Sequence, residues 1–235
     1  MRVVSLVPSA TETILELGVR PVACTRFCDQ PGLPSVGGTK DPDVAAVIAA
    51  RPDLVVVNNE ENRRADADAL LEAGLTVHDC SPRSVTDVGP AVVALAQALG
   101  VGVPEPFAGE RWRAFLDRGA PPAPSHPVVT FVWRRPWMTM APDTYGASVL
   151  ERLGLATVEF DEPGRYPSVT LDAVRASGAE LMLLPSEPYP FRDRHAAELE
   201  RELGDVTVRL VDGRDLFWWG ARTPAAVERL RDVLR

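Results

Sequence analysis

Hydrophobic residues form two alternating patterns along the first part of the chain. Short continuous apolar runs predict buried strands at Val3–Val7, Val22–Thr25, Leu54–Val57 and Thr76–Asp79. Between these runs, apolar residues recur at helical spacing. This alternation of strands and helices predicts an α/β lobe built on a parallel sheet.

The same alternation returns after residue 127. Apolar runs at Val128–Trp133, Leu181–Leu184 and Thr207–Val211 predict three more strands. The helices predicted beside them are Thr144–Leu153, Leu171–Ser177, Arg192–Leu203 and a last one that begins at Thr223-Pro224. The second half of the chain is therefore a second α/β lobe.

Several polar residues are typical of helix starts. Ser9 to Glu12 matches a capping box, so we expect the first helix to begin there. Asp41, followed by Pro42, is a candidate N-cap, and Asp143 is a candidate N-cap for the helix over 144–153.

The middle of the chain reads as helical and ends in a proline-rich run. Apolar spacing predicts a helix over Ser84–Leu99, which Gly89-Pro90 either kinks or starts, and another over Glu105–Asp117. Residues 120–127 contain four prolines and are the candidate lobe boundary. The predicted organisation is an N-terminal lobe over 1–83, a helical connector over 84–127 and a C-terminal lobe over 128–235.

A weak internal repeat relates the two lobes. Residues 44–60 align without gaps with residues 171–187, each being a short helix, a turn, a buried strand and then a glutamate, Glu60 or Glu187. One interpretation is duplication of a lobe, and the other is that any two helix–turn–strand units look alike.

Composition narrows the function classes. The 235 residues include 33 acidic and 25 basic ones, a net charge of −8, which is a poor match for nucleic acid or anionic lipid. Three cysteines without framework spacing argue against a disulfide scaffold. The first apolar run is interrupted by Pro8, and no apolar run approaches the roughly 20 residues that span a bilayer, so we expect a cytoplasmic protein unless the N-terminus has been trimmed.

Candidate binding residues follow the predicted strands, because ligands of doubly wound sheets lie beyond the carboxyl ends of strands. Aromatic residues concentrate in these loops and suit a large planar or macrocyclic ligand, although each could instead be packing core. The ligand-binding candidates are Ser9, Thr11, Phe27, Asp29, Lys40, Glu61, Trp133, Trp137, Tyr166, Tyr189, Trp218 and Trp219.

Catalytic and metal-binding motifs are not apparent in the sequence. There is no phosphate-binding glycine loop and no nucleophile elbow, and His78, His126 and His195 lie far apart without metal-site spacing. We therefore predict no catalytic residue, no metal ligand and no cofactor. Glu60 and Glu187 are either solvated loop charges or a matched pair that docks onto arginines of a protein partner.

An ordered set of motifs resembles the helical-backbone metal receptor superfamily, whose members include cobalamin, siderophore and heme receptors of ABC importers. The match runs from near residue 3 to near residue 230. Its motifs are Ser5–Glu12, Val36–Pro42, Arg51–Val55, Glu60–Asn62, Trp137–Thr139, Gly164–Pro167 and Pro185–Phe191.

The resemblance implies two Rossmann-like lobes joined by a long helix, with the ligand in a cleft between them and little hinge motion on binding. It implies a small-molecule ligand, a corrinoid or another metal chelate, and a glutamate on each lobe that docks to an ABC permease, for which Glu60 and Glu187 are the candidates. Two departures are the missing export signal or lipoprotein cysteine and the proline run that interrupts the connector.

Two alternatives stay open at this stage. An enzyme or sensor for a tetrapyrrole on the same scaffold would use Asp29, Glu60, Asp143 or Glu187 as acid–base groups, and a raised carboxylate pKa would favour it. A regulatory module without a ligand would have its cleft filled by Trp133, Trp137 or Trp218.

Overall fold

The computed structural model describes residues 1–103, 107, 109–118 and 126–235. They form an α/β structure with two largely parallel sheets, which confirms the predicted fold class. The chain divides into a first unit of residues 1–82, 86–114 and 219–221 and a second unit of residues 83–85, 115–218 and 222–235.

The first unit contains a four-stranded parallel sheet with the strand order β2-β1-β3-β4. Its strands are β1 (Val3–Ser5), β2 (Ala23–Cys24), β3 (Leu54–Val57) and β4 (Val77–Asp79). Its helices are α1 (Pro8–Glu16), α2 (Val44–Ala49), α3 (Arg64–Glu72) and most of α4 (Val85–Leu99).

The core of the first unit joins this sheet to its helices. Val4 of β1 and Val55 of β3 are fully buried, and Val47 of α2 and Leu70 of α3 pack in the same cluster. The continuous apolar run of β3 is explained by its central place in the sheet, where both neighbouring strands pair with it.

The second unit contains a sheet with the order β6-β5-β8-β9, and β7 also pairs with β5. Its strands are β5 (His126–Trp133), β6 (Met138–Thr139), β7 (Leu155–Thr157), β8 (Leu181–Pro185) and β9 (Thr207–Val211). Its helices are α6 (Tyr145–Glu151), α7 (Leu171–Ala176), α8 (Asp193–Leu203), α9 (Gly213–Phe217) and α10 (Thr223–Leu234), while α5 (Glu110–Asp117) contributes residues to both units.

The long strand β5 organises the second unit. Its first half pairs with β7 and β8 in parallel, and its last residues pair with the antiparallel β6 across a bulge. Phe131 of β5, Met182 of β8 and Leu199 of α8 are fully buried in one core cluster. The carboxyl ends of β5 and β8 are thereby fixed side by side.

Three helix starts differ from the sequence predictions. Helix α1 begins at Pro8, and its N-cap Val7 makes no side-chain capping bond, so Ser9 lies inside the helix. Asp43, rather than Asp41, caps α2 by accepting a hydrogen bond from Ala46 N at 2.9 Å. Thr144, rather than Asp143, caps α6. Each prediction was wrong by one or two residues, because several adjacent side chains could cap and backbone geometry chose one.

Other elements were only partly predicted. Helix α4 continues through Pro90, and β6, β7 and α9 were not predicted. Of the predicted helix over Glu105–Asp117, the part Glu110–Asp117 is observed as α5, while its predicted start at Glu105 and residues 119–125 of the proline-rich run lie outside the described residues. The division into two lobes and a connector over 84–127 stays a prediction.

Candidate functional site

Four aromatic side chains meet where β5 and β8 end, and we call Trp133, Trp137, Tyr189 and Phe191 the aromatic group. Trp133 contacts Tyr189 edge-on, with ring centroids 5.4 Å apart. Tyr189 lies 4.7 Å from Phe191, which stacks on Trp137 at 6.2 Å with an interplanar angle of 6°. The structure thus brings together three predicted binding residues, Trp133, Trp137 and Tyr189, in one unit.

Burial differs strongly across the aromatic group. Phe191 is buried, Trp137 and Tyr189 pack partly against the core cluster, and Trp133 keeps 43% of its surface exposed. Trp137 also lies 4.9 Å from the fully buried Phe131. The inner rings therefore act as a rigid base, and Trp133 presents the open face.

Charged residues beneath the aromatic group hold it in place. The Arg134 guanidinium donates to Glu198 Oε2 at 2.6 Å and lies 5.4 Å from the Trp137 ring. Glu198 is the main cause that raises the pKa of Arg134, and a hydrogen bond from Arg134 to Tyr189 adds to it. Sequence reasoning missed Arg134 and Glu198, although Arg134 directly follows the strand end that the prediction singled out.

His195 packs into this base. Its Nδ1 accepts from Arg192 N at 3.0 Å, and its ring contacts Tyr189 and Phe191 edge-on. Burial lowers its pKa, and the neighbouring arginines act in the same direction. Within the part of the chain that the structure describes, no three His, Cys, Asp or Glu side chains form a group that could hold a metal ion.

Glu187 and Trp218 were predicted for different roles and are bound to each other. Trp218 Nε1 donates to Glu187 Oε1 at 2.6 Å, and the guanidinium carbons of Arg214 and Arg222 lie 5.0 and 5.3 Å from the Trp218 ring. Only 9% of Trp218 is exposed. Its ring is thus largely engaged within the second unit.

The electrostatics of Glu187 follow from this arrangement. Burial raises its pKa, whereas the Trp218 hydrogen bond and the charge of Arg214 oppose the rise. Gly213 lies so close that a Cβ there would come within 2.7 Å of Glu187 N. Glycine at this position is required by close backbone approach, since no side chain fits.

In the first unit, the predicted residues lie beyond β1, β2 and β3. Thr11 is buried, with its Oγ1 2.8 Å from Ser5 Oγ and 3.1 Å from Cys28 Sγ. Phe27 is 51% exposed, with the Arg26 guanidinium 4.7 Å from its ring, and Asp29 is exposed with a φ of 53°.

A second set of first-unit residues lies around Asn62. Its side chain donates to Leu6 O and Thr39 O at 3.1 and 3.0 Å and so ties the end of β1 to the neighbouring loop. Lys40 Nζ donates to Glu60 O at 2.6 Å. The structure therefore brings Lys40 next to Glu60 and the adjacent Glu61, and Asn62 is the positioning residue that the sequence analysis did not name as a site residue.

Two predicted residues lie apart from these sets. Tyr166 is 37% exposed in the loop before α7, next to Arg165, which pairs with Asp143 at 2.9 Å. Trp219 is 2% exposed and belongs to the first unit, although its neighbour Trp218 belongs to the second.

Cys28 is a first-unit cysteine whose pKa lies below the ordinary value of a thiol. Its pKa is lowered to about 6, chiefly because the Cys24 thiol hydrogen-bonds to it. Burial opposes this change, while the Thr11 and Thr25 hydroxyls, 3.1 and 3.2 Å away, favour it. Cys24 and Cys80 differ, since both have raised pKa values, that of Cys80 reaching about 12 through burial.

We expect a single thiolate to appear near pH 6 when the absorbance at 240 nm is titrated. A thiol loses its proton as the pH rises through its pKa, so Cys28→Ser abolishes this step and Cys24→Ala moves it upward. Cys80→Ala is the matched control and leaves it unchanged. A first thiolate step above pH 8 in the unmodified chain would contradict the assignment.

The sequence of the chain is similar to that of a known binding protein. No model of a known protein family matches the sequence. The vitamin B12-binding protein of Vibrio cholerae is 22% identical over 241 residues, which cover 99% of this chain and 87% of that protein. No helix in the described segments is both long and apolar enough to cross a membrane.

Solved structures share the whole fold. The periplasmic vitamin B12-binding protein BtuF of Vibrio cholerae has a TM-score of 0.81 at 20% identity and covers 99% of this chain and 96% of its own. The periplasmic heme-binding protein BhuT, solved with two hemes, has a TM-score of 0.80 at 24% identity over 99% and 97% of the two chains. The chain is therefore similar over nearly its whole length to the vitamin B12-binding protein of Vibrio cholerae and shares the α/β fold of these periplasmic binding proteins.

Proposed function

We propose that this chain binds a flat metal chelate of the corrinoid or heme class and serves as the substrate-binding component of an ABC uptake system. The observation that carries the proposal is the aromatic group, in which the exposed Trp133 is supported by Tyr189 and by the stacked Trp137 and Phe191. The similarity of the whole chain to vitamin B12- and heme-binding proteins supports the same ligand class.

The physical reason is the match between a rigid aromatic face and a macrocycle. Covering an exposed indole with a flat apolar surface lowers the free energy, because apolar surface is removed from water. Binding has to immobilise only the two side-chain torsions of the tryptophan. The Arg134–Glu198 ion pair beneath Trp137 reduces the entropy cost further, because the base is already ordered.

Residues of the first unit supply candidate polar contacts. The Ser9 hydroxyl and the Trp219 indole nitrogen are buried, and neither has a hydrogen-bond partner among the described residues. Buried donors of this kind are rarely left without an acceptor. We propose that side groups at the ligand periphery, such as the amides of a corrinoid, supply acceptors to them, while Phe27 offers an exposed ring. That the ligand lies between the lobes stays a prediction.

Heme is the second candidate ligand, and one contact favours it. Tyrosine is a known axial ligand of heme iron, and Tyr189 lies in the aromatic group, in edge-on contact with the exposed Trp133. Tyr145 is unsuited to this role, because it is buried and its hydroxyl pairs with Thr223 at 2.9 Å. Heme binding through Tyr189 would therefore be lost in Tyr189→Phe, whereas corrinoid binding would persist.

Docking to a permease through Glu60 and Glu187 is part of the proposal. Glu187 is about one-third exposed and fixed by Trp218, which would present its carboxylate in a defined direction. The test of this role is ligand-stimulated ATP hydrolysis by a reconstituted permease. We expect Glu60→Gln and Glu187→Gln in this chain to abolish the stimulation while leaving the affinity for the ligand unchanged.

The enzyme alternative has one supporting observation, the raised pKa of Glu187. The similar proteins are named as binding proteins, which favours the receptor interpretation. They are also named as periplasmic, which does not support the cytoplasmic location expected from the sequence. The module without a ligand is less well supported, because Trp133 keeps an open face.

We expect saturable spectral changes when the chain is titrated with cyanocobalamin or with hemin, and Trp133→Ala to weaken binding of the preferred one by about 10- to 30-fold, or about 1.4–2 kcal/mol. The reason is loss of the exposed stacking face, and titration by absorbance is the measurement.

Leu210→Ala is the matched control, because Leu210 is a similarly exposed apolar residue on β9 of the same unit. It should leave the affinity unchanged. Absence of saturation with both ligands, or equal weakening by the two substitutions, would remove the basis of the proposal.

A further inference from the structure

A second concave region lies in the second unit, formed by the C-terminal ends of α5 and α6 and by one face of α10 from Pro224 to Arg231. It has a volume of about 510 Å³. We call it the arginine pocket, and the residues that define it are Phe115, Arg118, Arg152, Pro224, Glu228 and Arg231. None of them belongs to the aromatic group or to the Glu187–Trp218 pair.

Helix geometry explains why these residues converge. Pro224, Glu228 and Arg231 are spaced at i, i+4 and i+7 and so share one face of α10. Arg118 directly follows α5, and Arg152 is the C-cap residue of α6. Three arginines from three different helices are thus directed into one region.

The arginine pocket is positively charged in an acidic protein. Three guanidinium groups, those of Arg118, Arg152 and Arg231, line the pocket together with one carboxylate, that of Glu228. The formal charge of these lining residues is therefore +2, whereas the whole chain carries −8. Arg231 pairs with Glu228 and lowers its pKa, and Arg118 acts in the same direction. Burial and the charge of Arg231 lower the pKa of Arg152. A bound anion would relieve this repulsion between like charges.

Two backbone carbonyl oxygens hold the Arg152 guanidinium, and its Nε–H remains available as a donor. Its Nη2 donates to Phe115 O at 2.6 Å and to Leu116 O at 2.9 Å, and its guanidinium lies 4.8 Å from the Phe115 ring. Its Nε is buried and has no hydrogen-bond partner within the described ranges. A buried charged donor without an acceptor is costly, which indicates that a ligand or solvent completes the site.

The start of α10 adds further donors. Its N-cap Arg222 makes no side-chain capping bond, and Ala225 in the first turn also lines the pocket. In this turn Pro224 has no N–H and Ala226 N donates to Arg222 O, so the helix start contributes the Ala225 amide and the helix dipole, which favours negative charge there.

We propose that the arginine pocket binds the phosphate group of a small molecule. Donors that approach from three helices and from a helix N-terminus surround a tetrahedral dianion better than a planar carboxylate, which one guanidinium already matches. The net charge of +2 equals the charge that a phosphate dianion neutralises. This site is separate from the proposed chelate site, and its test is independent of that ligand.

Calorimetric titration of the full chain with inorganic phosphate and with pyrophosphate, at constant ionic strength, tests the proposal. We expect saturable binding that Arg118→Gln and Arg231→Gln each weaken by about tenfold, the effect of losing one charge-assisted hydrogen bond. Glu228→Gln should instead tighten binding by about threefold, because it removes the competing carboxylate.

Arg201→Gln is the control, since it removes one exposed arginine charge from the same unit but outside the pocket. It should leave phosphate binding unchanged. The proposal is overturned by absence of saturation, by equal weakening in Arg201→Gln and Arg231→Gln, by unchanged or weaker binding in Glu228→Gln, or by citrate binding as tightly as pyrophosphate.

Discussion

Replacing Phe131 with alanine is expected to lower the free energy of unfolding by about 3–5 kcal/mol. Phe131 is fully buried near the carboxyl end of β5, and its ring centroid lies 4.9 Å from that of Trp137. The substitution removes apolar surface and leaves a cavity between the sheet and the aromatic group. Ligand binding should weaken in parallel, because the base under Trp133 loses its order.

Urea denaturation followed by circular dichroism measures this loss, and hydrogen exchange at β5 and β8 localises it to the second unit. Phe27→Ala is the control, since Phe27 is 51% exposed and its removal should change stability by less than about 0.5 kcal/mol. A change below about 1 kcal/mol for Phe131→Ala would mean that this ring does not support the core as described.

Asp215→Ala is expected to cost about 3 kcal/mol of unfolding free energy, the lower end of the range for breaking a buried ion pair. Asp215 has only 5% of its side chain exposed and accepts from Arg229 Nε and Nη2 at 2.7 and 2.6 Å. Arg222 lies 3.4 Å away on its other side and packs against Trp218. Loss of the Asp215 carboxylate leaves the largely buried guanidinium of Arg222 without this countercharge, while the half-exposed Arg229 can turn towards water.

Thermal and urea denaturation of Asp215→Ala are to be compared with those of Asp172→Ala, an aspartate that pairs with Arg175 but is 91% exposed. The exposed pair should contribute less than about 1 kcal/mol. Equal losses in the two variants would show that burial does not govern the contribution of Asp215. The fluorescence of Trp218 should also change in Asp215→Ala alone, because Arg222 no longer holds its position.

The strand-end argument named residues that the structure brings together. Trp133, Trp137 and Tyr189 were predicted as binding residues because they lie in or beside the ends of apolar runs that read as strands, and they form one group of contacting rings. Lys40 and Glu61 were predicted for ligand binding and Glu60 for docking, and Lys40 donates to Glu60 O. The argument works because parallel strands end at the same edge of a sheet.

The strand-end argument could not predict how exposed each side chain is or which residue it pairs with. Trp133 ends β5 and Trp218 comes after β9, yet Trp218 is 9% and Trp133 is 43% exposed. Glu187 was predicted as a docking carboxylate, but its hydrogen bond from Trp218 depends on α9, a short helix whose apolar pattern is too brief to recognise. The arginine pocket was missed as well, since its residues come from three helices separated by more than 30 positions along the chain.

The sequence by itself determined the α/β class, the position of most strands and the loops that carry aromatic residues. These properties depend on local periodicity, which neighbouring residues encode directly. Only the tertiary structure decided which rings stay open, which carboxylates are paired and where arginines converge. Those outcomes depend on contacts between residues distant in sequence, whose free energies arise only once the sheets and helices have packed.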